Sequence, residues 1–105
     1  MVIIETPLFT KLIQDMLPDE DYRLLQQTLL LRPEAGVLIR GGGGLRKIRW
    51  NLPGSGKRGG LRIIYYWDVP QETIYMLLPY RKSRRDDLTP AQLKVLRDLV
   101  KEGLR

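Results

Sequence analysis

Four side chains in the second half of the chain, Lys57, Arg62, Tyr80 and Lys82, have types and spacing suited to handling a phosphate. Arg62 stands among Leu61, Ile63, Ile64, Tyr65 and Tyr66, so packed neighbours can fix its guanidinium against a sheet face as a bidentate phosphate ligand. The plainer alternative is an edge arginine that reaches out to water along its apolar stem. Tyr80-Arg81-Lys82 closes a second apolar run, and the two-residue period puts Tyr80 and Lys82 on one side and Arg81 on the other. Beside Arg62, that tyrosine and lysine can stack on a base and stabilise charge; a solvated strand end is the alternative. Lys57 and Arg58 sit within Gly54-Ser55-Gly56-Lys57-Arg58-Gly59-Gly60, where backbone amides and two cations make a phosphate cradle.

The charge pattern points the same way. The chain carries 18 basic and 12 acidic residues, for a net charge of +6, and such a balance suits a polyanionic partner, most often nucleic acid. From Arg40 to Trp67 there is no acidic residue at all, while Arg40, Arg46, Lys47, Arg49, Lys57, Arg58 and Arg62 all fall there. Arg46, Lys47 and Arg49 crowd one short strand, which costs repulsion unless an anion lies near. Arg84, Arg85, Asp86 and Asp87 form a mixed run that reads as a solvated loop.

Several chemistries are excluded or disfavoured. Gly54, Gly56 and Gly59 satisfy GxGxxG, yet a strand follows them where a dinucleotide motif needs a helix. A P-loop fails too, because Arg58 stands where Ser or Thr should follow Lys57. What remains is a glycine-rich hairpin loop. The chain has no cysteine and no histidine, so disulfides, thiol nucleophiles and the usual neutral-pH proton shuttle are missing, and a metal would find only carboxylates. No cofactor or metal is expected. The first residues lack a basic stretch followed by a long apolar core, and no apolar run reaches membrane-spanning length, so a soluble cytoplasmic protein without membrane contact is expected.

The elements that must hold these residues follow from pattern and caps. Residues 1 to 105 make one domain. Met1 to Glu5 reads as a strand, and Thr6-Pro7 as the cap and first residue of a helix with Leu8, Leu12, Ile13 and Met16 at helical spacing. Asp19 is the expected cap of a second helix, with Tyr22, Leu25, Leu29 and Leu30 as its stripe. Leu45 to Trp50, Leu61 to Trp67 and Thr73 to Tyr80 read as strands. Thr89-Pro90-Ala91-Gln92 is a capping-box signature for a closing helix with Leu93, Leu96 and Val100 inward. The order predicts a small α+β sandwich: an N-terminal strand, a helical hairpin, an antiparallel sheet of about four strands and a C-terminal helix. Helices against one face would leave the other free for the site.

Gly44-Leu45-Arg46-Lys47-Ile48-Arg49-Trp50, Gly56-Lys57-Arg58-Gly59-Gly60-Leu61-Arg62-Ile63-Ile64-Tyr65-Tyr66, Tyr80-Arg81-Lys82 and Asp87-Leu88-Thr89 together resemble the RelE/ParE superfamily of bacterial toxins, in its HigB-like branch. The likeness runs over nearly the whole chain. It implies a type II toxin, a ribosome-dependent endoribonuclease that cuts translated mRNA in the A site without a metal, by attack of the 2'-hydroxyl on the adjacent phosphate. It also implies a cognate antitoxin, a helix-turn-helix protein from the same operon, through which operator DNA is met only indirectly. The 70S ribosome with its mRNA would be the other partner. On this resemblance Arg62 holds the scissile phosphate, Lys57 stabilises charge or moves a proton, Lys82 is the second candidate for proton transfer, and Tyr80 orients a base. Arg46, Lys47, Arg49, Arg58 and Arg81 would bind RNA phosphates. The chain departs from relatives that carry a tyrosine after the last strand or a histidine in the site. Two other readings are a non-catalytic RNA-binding domain and a toxin-fold protein acting on DNA gyrase; the Lys57, Arg62 and Lys82 set argues against the gyrase branch.

Overall fold

The computed structural model describes residues 1–51, 60–82 and 87–103. Along the chain run β1 (Val2–Glu5), α1 (Pro7–Ile13), α2 (Asp19–Leu31), β2 (Val37–Leu38), β3 (Leu45–Trp50), β4 (Leu61–Asp68), β5 (Thr73–Arg81) and α3 (Pro90–Lys101). The α+β class and the strand, helix, helix, sheet, helix order match the sequence reading. All strands belong to one sheet, in the order β1-β5-β4-β3-β2. Strands β2 to β5 pair antiparallel, but β1 lies parallel to β5. The expected antiparallel sheet of about four strands is therefore a mixed sheet of five. A parallel neighbour needs a long crossover, and here two helices and three strands intervene, so no local signal marks the pairing.

Strand β4 is buried on both sides, and this places the helices. Leu61, Ile63 and Tyr65 point into a core with Phe9, Ile13, Leu25 and Leu29 from α1 and α2. Ile64 and Tyr66 point the other way, toward Leu45, Leu77 and Leu96, with Leu93 and Val100 of α3 packed against them. The expectation that all helices share one face is thus corrected. Burying both faces of a central strand takes a layer on each side, and α3 supplies the second one over only part of the sheet.

The caps behave largely as the sequence implies. Thr6 Oγ1 accepts from Phe9 N at 3.1 Å, with Pro7 leading α1. Its inward residues are Phe9 and Ile13, whereas Leu8 is exposed. Helix α2 begins one residue earlier than a cap at Asp19 requires: Pro18 holds the cap position without a side-chain bond, and Asp19, Glu20 and Asp21 fill the first turn, where the helix dipole favours them. Leu25 and Leu29 are buried as expected, but Leu30 is exposed. In α3 both arms of the capping box form, Thr89 Oγ1 accepting from Gln92 N at 3.2 Å and Gln92 Oε1 accepting from Thr89 N at 3.0 Å.

Two polar anchors join the helical layer to the sheet. Glu5, at the end of β1, accepts from Thr10 Oγ1 at 2.6 Å and from Tyr22 Oη at 2.5 Å. Burial first, and the Glu5 carboxylate after it, push the Tyr22 phenol far above its ordinary value. Fully buried Tyr65 donates to Pro33 O at 2.6 Å and accepts from Gly36 N at 2.8 Å. A Cβ at Gly36 would stand 2.7 Å from the Tyr65 ring, so this loop can reach the phenol only with glycine there. Among the described residues no helix is long and apolar enough to cross a membrane.

In Tyr65→Phe the loop loses both bonds and leaves Gly36 N–H and Pro33 C=O buried without the phenol. Urea unfolding should show a loss of about 2 kcal/mol with an unchanged slope.

Candidate functional site

The strand register decides which cations meet. Arg62 lies opposite Arg49 of β3 and opposite Tyr80 of β5. Lys47 pairs with Ile64, on the same face two residues further along β4. Arg62 therefore has a cation for a direct neighbour on one side, an arrangement that is destabilising in a sheet.

Strand β5 reaches this face only because of an irregularity. Ile64 pairs with Leu78 and Tyr65 with Met76, so Leu77 is an extra residue between two aligned pairs, a β-bulge. Ile74 and Met76 lie on the α1 and α2 side, whereas Tyr80, also even-numbered, lies on the α3 side. One inserted residue reverses the alternation. If the same chain paired without the bulge, its register would slip by one and Tyr80 would turn away from Arg62, and Lys82 with it. Just past the strand, Lys82 N donates to Gly60 O at 3.2 Å, holding the chain beside the start of β4.

The outcome is a shallow hollow of about 250 Å³ lined by Lys47, Arg49, Arg62, Lys82 and Asp87. Among the described residues, four cations and a single carboxylate leave it strongly positive. Arg62 is its floor, at 5% exposure. Its guanidinium has five N–H donors, and among the described residues it donates only to Leu61 O, at a long 3.3 Å. No described carboxylate lies within ion-pair distance of it. A Cβ at Gly60 would come within 3.3 Å of Arg62 Nη1 and 3.1 Å of Asn51 Oδ1, so the glycine keeps that side of the guanidinium open. A buried cation with donors unused among the described residues, ringed by further cations, is a seat for an anion.

Asp87 is the residue that composition hid. Its carboxylate accepts from Lys47 Nζ at 2.5 Å. That hydrogen bond and the Lys47 charge, with Arg62 and Arg49 adding to them, hold the Asp87 carboxyl below its ordinary range. The mixed-charge run reads as solvated, and the Asp87 side chain is indeed 75% exposed. The usable signal is its position two residues ahead of the Thr89 cap, which ties its backbone to the start of α3.

The other expected residues are distributed unevenly. Lys47 and Arg49 join Arg62 and Lys82, as just described. Arg46 faces the opposite side of β3 and donates to Gly36 O at 2.8 Å and Glu34 O at 3.3 Å; it braces the same loop as Tyr65. Arg81 likewise turns away and donates to Asp15 O at 3.4 Å. Tyr80 is 9% exposed and belongs to the α3-side core, so its ring backs Arg62 across the register instead of offering an open stacking face. Lys57 and Arg58 lie outside the described residues, as do Arg84, Arg85 and Asp86. Among the described residues no three potential metal-binding side chains converge.

A buried cation with no ion-pair partner among the described residues is expensive to keep, which gives a direct test. Arg62→Met should hold or raise the melting temperature while removing the stabilisation that inorganic pyrophosphate gives the wild-type protein; thermal melts with and without the anion measure both. No family model matches the chain.

Proposed function

We propose that the protein is a toxin of a type II toxin-antitoxin system, of the RelE/ParE kind, that cleaves mRNA on the ribosome. The observation that carries this reading is Arg62, buried at 5% exposure with most of its donors unused among the described residues, on the floor of a hollow walled by Lys47, Arg49 and Lys82. A phosphodiester offers the paired oxygens that a guanidinium fork takes, and the surrounding charge steers a polyanion toward it.

In the proposed reaction the 2'-oxygen of one nucleotide bonds to the adjacent phosphorus as the bond to the 5'-oxygen breaks. A 2',3'-cyclic phosphate and a 5'-hydroxyl result, with one proton leaving the 2'-hydroxyl and one reaching the departing oxygen. Arg62 holds the non-bridging oxygens and gains most from them as their charge grows. Lys82, at the open end of the hollow, carries one of the protons, and Lys57 is the other candidate for that task. Lys47 and Arg49 bind flanking phosphates, Tyr80 supports the arginine from behind, and Arg58 extends the RNA contact. The cellular setting that follows is cytoplasmic, with the 70S ribosome and its mRNA as substrate. The antitoxin is a small helix-turn-helix protein encoded alongside.

Induced expression should arrest translation, with new RNA ends inside translated codons. Arg62→Ala should abolish the cuts, because losing a fixed ligand to the reacting phosphate costs on the order of 3 kcal/mol, about a hundredfold or more in rate. Intact messages on stalled ribosomes would overturn the nuclease reading in favour of an RNA-binding domain. Arrest of DNA supercoiling instead would point to gyrase.

A further inference from the structure

The one carboxylate among the described residues of the hollow stands where a ligand should. Asp87 bonds Lys47, and its own carboxyl responds to Arg62 and Arg49. Those are three of the four cations that line the site. We infer that Asp87 is an internal stand-in for the phosphate: it occupies part of the anion seat in the free protein and is displaced when a phosphodiester binds.

Three observations separate this from an ordinary surface ion pair, which contributes little. The partners come from elements 40 residues apart, so the contact is made by the fold and not by local sequence. Lys47 is only 21% exposed while Asp87 is 75% exposed; the lysine is set into the sheet face and the carboxylate covers it from outside. Lys47 and Asp87 also line a second, adjoining cleft of about 320 Å³, whose other walls include Ile64, Tyr80, Leu88 and Leu93. The ion pair thus lies on the boundary between a cationic hollow and a cleft that is mainly apolar, with Arg40 as its further cation. A nucleotide chain has the matching halves, phosphate and base, and seating both at once requires the pair to open.

Asp87 can move without disturbing the core. It precedes the capping box of α3, whose two bonds are made by Thr89 and Gln92 alone, so releasing the carboxylate leaves the helix start intact. The inference rests on the RNA-directed reading of the site but does not require cleavage. Asp87 acts through Lys47 and its neighbours, as a competitor that sets affinity.

The test uses a single-stranded all-2'-deoxy oligonucleotide, which has no attacking hydroxyl and reports binding alone. Asp87→Asn should tighten its binding about tenfold by removing the competing charge. It should also steepen the dependence of log affinity on log salt by about 0.7, one more cation being free for the strand. Asp87→Ser, which removes the side-chain shape as well, should do the same, and Lys47→Ala should weaken binding. Binding unchanged or weakened in both Asp87 variants overturns the inference, and a fall in RNA cleavage with unchanged oligonucleotide binding would make the carboxylate a participant in the reaction instead. If no RNA is cut by any variant yet Asp87→Asn binds more tightly, the stand-in survives and the nuclease reading falls.

Discussion

Strand β4 is buried from Leu61 to Tyr65, with side chains of both faces covered, and everything else in the molecule answers to that. Six consecutive residues, Leu61 to Tyr66, must each find a neighbour across the sheet, so two separate cores are needed and helices must come to both sides. Five of the six are apolar or aromatic and fill those cores. Arg62 is the exception, and it is tolerated because α3 stops short of it, leaving the end of the sheet where its guanidinium lies uncovered by a helix. The cationic hollow is the unfilled corner of the second core.

This arrangement makes the most buried cation of the hollow also the one most hemmed in by its neighbours. An arginine on a loop would sample many rotamers and lose that freedom on binding a ligand. Arg62 is held by Tyr80 on one side, by Arg49 on the other and by apolar residues along its strand. The repulsion from Arg49 destabilises the empty site, and an anion between the two relieves it. Binding strength is therefore stored in the fold as an unfavourable contact, in line with the general tendency of functional positions to conflict with local stability.

Much of this was legible in the residues. The caps at Thr6 and Thr89, the strands at Leu45, Leu61 and Thr73, and the assignment of Arg62 as a packed cation came from side-chain types and the two characteristic periods alone. The alternation along β3 separates Arg46 from Lys47 and Arg49, although the resemblance groups all three on the RNA. Other features could not be read this way, for identifiable reasons. The parallel seat of β1 depends on a partner about 70 residues away. The second helical layer depends on how a run with no polar alternation, Ile63 to Tyr66, divides between two cores. Tyr80 looked like a stacking platform because a strand end is usually open, whereas α3 closes over it. Asp87 looked solvated because exposure and partnership are independent, and only the fold brings Lys47 beneath it.

The bulge at Leu77 divides β5 into two stretches with different duties. Before it, Thr73 to Met76 are hydrogen-bonded to neighbours on both edges, β1 on one and β4 on the other. After it, the strand pairs with β4 alone and carries Tyr80 and Lys82 to the site. A change of side chain in the first stretch is a question of stability, and one in the second a question of ligand. The extra residue also uncouples their facing, so either stretch can vary under its own selection without the other being turned over. Register across that point has no such latitude: losing Leu77 would leave a regular ladder with Tyr80 still opposite Arg62, whereas straightening the bulge in a chain of unchanged length would slip every later pair by one and turn half the site toward the wrong layer.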